Sequence, residues 1–336
     1  MADRAVVTEA FLRQAGWGAA ASCLLAGDAS ARRYLRLAQA TGETAILMDA
    51  PPDRCDDTGA FVTIARHLSS LGLSAPAILA EDVAAGLLLL EDLGDAVFAR
   101  VVAAQPTAGL VLYPAAAETL AALQQAPVPE GLAAFTPPHM ADLVGVAFDW
   151  YAPAAPKPAA RAITARLRDI LATVAPAPSV LALRDMHAEN LLWLPERAGA
   201  ARVGLLDFQD AVIAHPAYDL VSLLDDARRD VDTETRRATI GRFLDLTGHE
   251  AQTFGAASAA LSLQRNLRIL GVFARLARRD GKSGYLAHLP RVWGHVLRAL
   301  DHPAVSSLKV PLLRHLPPPC AALPAVPETP CATPVP

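Results

Sequence analysis

Cysteine is scarce and unpatterned in this 336-residue chain: Cys23, Cys55, Cys320 and Cys331 contain no Cys-x-x-Cys. That excludes a zinc ribbon and a disulfide framework, and the thiols read as reduced. The nine histidines form no His-Glu-x-x-His, so a zinc hydrolase helix is excluded as well. No run of about eighteen apolar residues escapes charge, which excludes a spanning helix and a membrane partner. The start, Met1 to Ala5, lacks a basic stretch leading into a greasy one, so a secretory signal is not expected and the cytoplasm is. A net charge of -4 offers no basic surface for nucleic acid, and no feature calls for an obligate protein partner.

What is abundant is apolar: 53% of residues are hydrophobic, chiefly through alanine, which predicts a helix-rich chain with a large core split into two lobes. Two pieces organise it, Leu183-Arg184-Asp185-Met186-His187-Ala188-Glu189-Asn190-Leu191-Leu192-Trp193-Leu194 and Gly204-Leu205-Leu206-Asp207-Phe208. Each sets an acid at the edge of an apolar run, Val180-Leu183 or Val203-Leu206, that reads as a short buried strand. Four residues separate Asp185 from Asn190, the interval of the kinase catalytic loop, where the acid orients the acceptor hydroxyl and the amide ligates magnesium. Asp207-Phe208 follows at hairpin distance, matching the metal-binding acid of kinases. The plain alternative is that Asp185 and Asn190 cap a helix and Asp207 begins a turn.

With Asp185, His187, Asn190, Asp207-Phe208 and Asp219-Leu220 in order, the chain resembles the aminoglycoside phosphotransferases and their kinase-like relatives from about Gly27 to Arg298. Arg184 stands where that family usually has glycine. The resemblance implies an α+β, two-lobed protein-kinase-like fold: a small antiparallel-sheet N-lobe over 1–93, a mostly helical C-lobe over 94–316, and a proline-rich, disordered tail over 317–336. It implies ATP and magnesium, with Asp185, Asn190 and Asp207 catalytic, Asn190 and Asp207 on the metal, and His187 and Asp219 bracing the catalytic loop.

The small-residue turn from Ala26 through Ala31 matches the loop over the nucleotide phosphates, giving Gly27, Ser30 and Arg33 nucleotide contacts; an ordinary hairpin turn is the alternative. Gly86-Leu87-Leu88-Leu89-Leu90-Glu91-Asp92-Leu93 resembles the last N-lobe strand and the hinge, with Glu91 and Leu93 against adenine. One expected feature is missing. Met48 occupies the strand position of the usual phosphate-binding Lys, and the helix over 58–71 lacks its Glu partner.

Gly27-Asp-Ala-Ser-x-Arg-Arg-Tyr34, Met48-Asp-Ala-Pro-Pro52 and Gln264-Arg-Asn-Leu-Arg268 narrow the resemblance to the anomeric amino-sugar kinases of bacterial cell-wall recycling. Those act on N-acetylmuramate and N-acetylglucosamine at C1, which makes a small sugar the expected partner. Arg265 and Arg268, one helical turn apart, are candidates for the lactyl carboxylate of muramate, and Trp150 for the sugar ring. Surface arginines and a core tryptophan are the bland alternatives. An aminoglycoside, choline or homoserine kinase, or a nucleotide-binding pseudokinase, stays open at this point.

Overall fold

The computed structural model describes residues 4–25, 32–55 and 58–319. In chain order the first part runs α1 (Arg4–Gln14), β1 (Ala21–Leu24), β2 (Arg33–Ala38), β3 (Thr44–Asp49), α2 (Gly59–Ser70), β4 (Ile78–Asp82), β5 (Leu87–Glu91), α3 (Phe98–Ala104) and α4 (Gly109–Gln124). There follow α5 (Pro137–Asp142), a single π-turn at Ala147–Tyr151, α6 (Lys157–Val174), β6 (Val180–Ala182), β7 (Leu191–Trp193), β8 (Val203–Leu205) and β9 (Val212–Ala214). Helices α7 (Ala217–Leu224), α8 (Thr233–Thr247), α9 (Ala251–Arg279), α10 (Leu289–Leu300) and α11 (Lys309–His315) end the chain.

These elements pack as two units, one of residues 1–132 with 183–211, the other of 133–182 with 212–336. Helix α4 and the 183–211 segment hold to each other, because Thr119 Oγ1 donates to the Ala200 carbonyl and Arg202 pairs with Glu118.

The first unit is built on an antiparallel sheet of order β1-β2-β3-β5-β4. Strands β3 and β5 are central and covered on both faces, so Ala45 to Met48 and Leu87 to Leu90 read as apolar runs rather than alternating ones. One face gathers Phe11 of α1 with Leu37, Ala45, Leu47, Leu87 and Leu89. The entry of β5 depends on Gly86: its φ is 68°, and a Cβ there would stand 2.0 Å from the Ala50 carbonyl oxygen. Asp49 is buried but paired, accepting from Arg4 Nε and Nη2 at 2.9 and 2.6 Å.

In the second unit the 29-residue α9 is the central element, packed against α6, α7, α10 and the π-turn. Gly271 makes that last approach possible, since a Cβ would meet the Val146 carbonyl carbon at 2.3 Å. At the basic end of α9, Arg279 pairs with exposed Asp280, while Arg275 and Arg278 are half-buried. Helix α6 was not anticipated; only Ile163, Leu167, Ile170 and Leu171 form its buried stripe. The Pro317 carbonyl accepts from the buried Tyr151 hydroxyl at 2.6 Å. Residues 320–336, with Cys320 and Cys331, lie outside the described residues; neither Cys23 nor Cys55 is in a disulfide. No described helix is long and apolar enough to cross a membrane.

Candidate active site

Asp185, Asn190 and Asp207 come together in the first unit, all half-buried and therefore reachable from solvent. Neither Asp185 nor Asn190 caps a helix. They belong to a tight loop closed by Asp185 N–H to the Leu183 carbonyl, His187 N–H to the Asp185 carbonyl and Asn190 N–H to the His187 carbonyl. Leu206 N–H donates to the Asn190 carbonyl at 2.9 Å, which ties this loop to the residue before Asp207.

Side chains complete the arrangement. Asn190 Nδ2 donates to the Asp185 carbonyl at 2.9 Å and lies 3.4 Å from Asp207 Oδ2, while Gln209 Nε2 donates to Asp207 Oδ1 at 2.7 Å. Because Nδ2 is engaged, Oδ1 is the amide atom left to face a cation. His187 is buried, with Nε2 3.5 Å from Asn190 Nδ2, so it supports that amide from behind. Phe208 is fully buried against Phe61, with ring centroids 4.8 Å apart, and anchors the backbone beside Asp207.

Backbone strain marks the same two places. Arg184 at φ 72° and Asp207 at φ 57° are the non-glycine residues with left-handed backbone among those described. Arg184, just before Asp185, carries a Cβ into a conformation that glycine adopts freely. Such strain persists where surrounding bonds hold it and is concentrated at functional sites. Here Arg184 Nη1 donates to the Asp210 carbonyl at 3.2 Å.

The register of β2 decides which arginine can approach this site. Tyr34 stands opposite Met48, which stands opposite Leu88, so the three share one face of the sheet. That face looks to Asp207: burial pushes the Tyr34 hydroxyl up to about 12, Arg32 pulls it back, and the Asp207 charge adds to the rise. Arg32 hydrogen-bonds Tyr34. Arg33 is exposed on the opposite face, across from Asp49. Arg33 therefore points away from the Tyr34 face, since successive strand residues alternate in direction. Arg36, on the Tyr34 face, is held by Asp92 and Asp95.

Glu91 ends β5, but its carboxylate is occupied: Arg197 Nη2 donates to Oε1 at 2.5 Å and Ala77 N–H to Oε2 at 3.2 Å. Its backbone N–H is engaged as well, donating to the Ala77 carbonyl at 2.8 Å. Leu93 lies over Gly204, 3.1 Å from where a Cβ would be. Gly27 and Ser30 lie outside the described residues. In the second unit, Asp219 is buried in the first turn of α7, where Pro216 holds the cap position. Trp150, on the π-turn, is half-exposed while neighbouring Tyr151 is core. Arg265 is buried on α9 and Arg268 half-buried. Gln209 and Arg197 escaped the sequence reading.

Comparison with known proteins agrees with this geometry. An N-acetylmuramate/N-acetylglucosamine kinase of Caulobacter vibrioides is 39% identical over 361 aligned residues, covering 94% of this chain and 97% of its own. A protein of the same name from Pseudomonas putida is 31% identical, over 84% of this chain and 86% of its own. Among solved structures, the GDP complex of aminoglycoside 2'-phosphotransferase-IIIa matches with a TM-score of 0.63 at 15% identity, over 88% of this chain and 99% of that one. A choline/ethanolamine kinase family protein from Mesorhizobium loti gives 0.62 at 16%, over 92% and 99%. These last two show the fold, and the α+β kinase-like class expected from the sequence is borne out. The phosphotransferase enzyme family pattern matches residues 23–254, and the chain is a member of that family.

Proposed function

We propose that the protein is an ATP-dependent sugar kinase that transfers the γ-phosphoryl group to the anomeric C1 hydroxyl of N-acetylmuramate and N-acetylglucosamine in peptidoglycan recycling, acting in the cytoplasm. The observation that carries the reading is the Asp185–Asn190–Asp207 constellation in a chain 39% identical, nearly end to end, to a kinase of that name. Asp185 accepts a hydrogen bond from the sugar hydroxyl, orients its oxygen for in-line attack and receives the proton as the oxygen–phosphorus bond forms. The bond from the γ-phosphorus to the bridging oxygen breaks, and ADP leaves with the electron pair.

Asn190 Oδ1 and the Asp207 carboxylate are adjacent hard oxygen donors, a set that fits magnesium together with phosphate oxygens. Magnesium bound there would supply charge neutralisation to the phosphates. Gln209 and the strained backbone keep Asp207 aimed for that contact.

A triphosphate needs more cation than one metal supplies, and Met48 offers none. Arg32 takes that role, presented by Tyr34 on the face that looks to Asp207. Arg32→Ala is expected to raise the KM for ATP about ten- to a hundredfold, the worth of a charge-assisted contact, with Arg33→Ala changing it by less than about threefold. A shift in Arg33→Ala alone would contradict the register argument.

The reading itself is tested by ATP consumption over a panel of N-acetylmuramate, N-acetylglucosamine, choline, homoserine and kanamycin. Turnover with the two amino sugars is expected; turnover confined to any other acceptor would overturn it.

A further inference from the structure

Arg184 has no part in the phosphoryl transfer described above, yet it immediately precedes the acid that does. It is the centre of a three-residue turn closed by Asp185 N–H to the Leu183 carbonyl at 2.9 Å, and its φ of 72° makes this the rare, strained form of such a turn. Glycine would sit there without strain. A long side chain in left-handed backbone is an outlier that persists only where the surroundings over-determine it.

The side chain supplies the reason. Only 20% exposed, it reaches the turn that follows Asp207, where Nη1 donates to the Asp210 carbonyl at 3.2 Å and lies 3.9 Å from Asp210 Oδ2. The carbonyl is the main acceptor, because the carboxylate contact is too long for a hydrogen bond. One guanidinium thus joins the loop of Asp185 to the turn of Asp207, all within the first unit. A separate tie, Leu206 N–H to the Asn190 carbonyl and Asn190 Nδ2 to Asp207 Oδ2, holds the far end of the 185–190 loop. That tie fixes the two metal-binding groups to each other. Arg184 adds the link at the acid's own end.

In-line transfer needs that link, because the hydroxyl oriented by Asp185 must meet a phosphoryl group held through Asp207, and a misplacement of about 1 Å costs roughly a hundredfold. We infer that Arg184 is a positioning residue: its guanidinium sets the spacing between Asp185 and the turn over Asp207 to Asp210, and the strained backbone is what aims it there. This rests on the kinase reading above.

The test compares the wild-type enzyme with three variants. Arg184→Gly removes side chain and strain together, Arg184→Ala removes the side chain and keeps the strain, and Arg184→Lys can still donate to one carbonyl. Each is measured by ligand-free thermal unfolding and by kcat and KM for ATP and N-acetylglucosamine. Arg184→Gly is expected to melt above Arg184→Ala, because glycine adopts that φ freely. Both should nevertheless lose kcat equally, by about ten- to a hundredfold, with each KM within about threefold of wild type, since the interaction acts on transition-state geometry. Arg184→Lys should recover kcat to within about fivefold of wild type, a single carbonyl needing a single donor.

Near-normal kcat in Arg184→Gly would overturn the proposal. So would a kcat loss that follows melting temperature, worse in Arg184→Ala than in Arg184→Gly, which would make the backbone rather than the guanidinium responsible. A KM for ATP that rises as far as kcat falls would overturn it in favour of a phosphate contact. If the wild-type enzyme phosphorylates neither N-acetylmuramate nor N-acetylglucosamine, the kinase reading fails separately, before any variant is compared.

Discussion

Replacing Asp185 by asparagine is expected to lower kcat by at least about a hundredfold, the usual range for a positioned acid–base group being about 10² to 10⁴. The substitution is nearly isosteric, and the loop is closed through backbone atoms of residue 185: its N–H to Leu183, its carbonyl to His187 N–H and Asn190 Nδ2. None of those bonds needs the carboxylate. The loop therefore keeps its shape, ATP affinity stays within a few-fold, and the loss falls on kcat. Steady-state kinetics with saturating sugar reads the difference, and near-normal turnover would remove Asp185 from the catalytic role.

The largest expected effect on stability comes from Asp225→Ala. Asp225 is 3% exposed and accepts four hydrogen bonds, from Arg236 and Arg298 at Oδ1 and from Ser262 and Asn266 at Oδ2. It joins α7, α8, α9 and α10 at one point. Deleting it takes a carboxylate from Arg236 and the acceptor from buried Ser262 Oγ, while Asn266 Nδ2 keeps the Ser262 carbonyl at 2.9 Å, a loss of about 3 kcal/mol, the low end for a broken buried pair because Arg298 is half exposed to water. Burial pulls the Asp225 carboxyl upward, but Arg236, His295, Ser262 and Arg298 together hold it below the usual carboxylate range. A carboxyl held lower in the folded than in the unfolded state stabilises fully above its unfolded value, and that contribution is lost as pH falls toward the folded one. Urea unfolding at neutral pH and at decreasing acid pH should show wild-type and Asp225→Ala stabilities converging as pH falls. A neutral-pH difference under about 1 kcal/mol would contradict the description of this junction.

What could be read in advance was local. Asp-x4-Asn and strand-Asp-Phe each lie within a few residues, and short apolar runs beside them mark strands by length alone, so the catalytic trio was legible. Arg32 and Arg33 were not separable, because a one-residue change of register swaps the two faces of a strand and only the Tyr34–Met48–Leu88 pairing fixes it. Glu91 looked available for a nucleotide because its partner, Arg197, lies 106 residues away. Pro114 lies inside helix α4, which begins at Gly109, and the burial of Leu112, Tyr113 and Ala115 to Ala117 outweighs the bond that proline cannot make. Arg265 was nameable from its spacing to Arg268, but its burial is a property of the packed helix.

The central claim is that phosphate arrives on the anomeric oxygen of an amino sugar, and phosphorus NMR of the product tests it most directly. Incubated with ATP, magnesium and either N-acetylmuramate or N-acetylglucosamine, the enzyme should yield a sugar phosphate whose signal is split by one proton, the one on C1. A signal split by two protons, from a phosphate on the exocyclic C6, or no sugar phosphate while ATP is consumed with choline or kanamycin, would contradict the account.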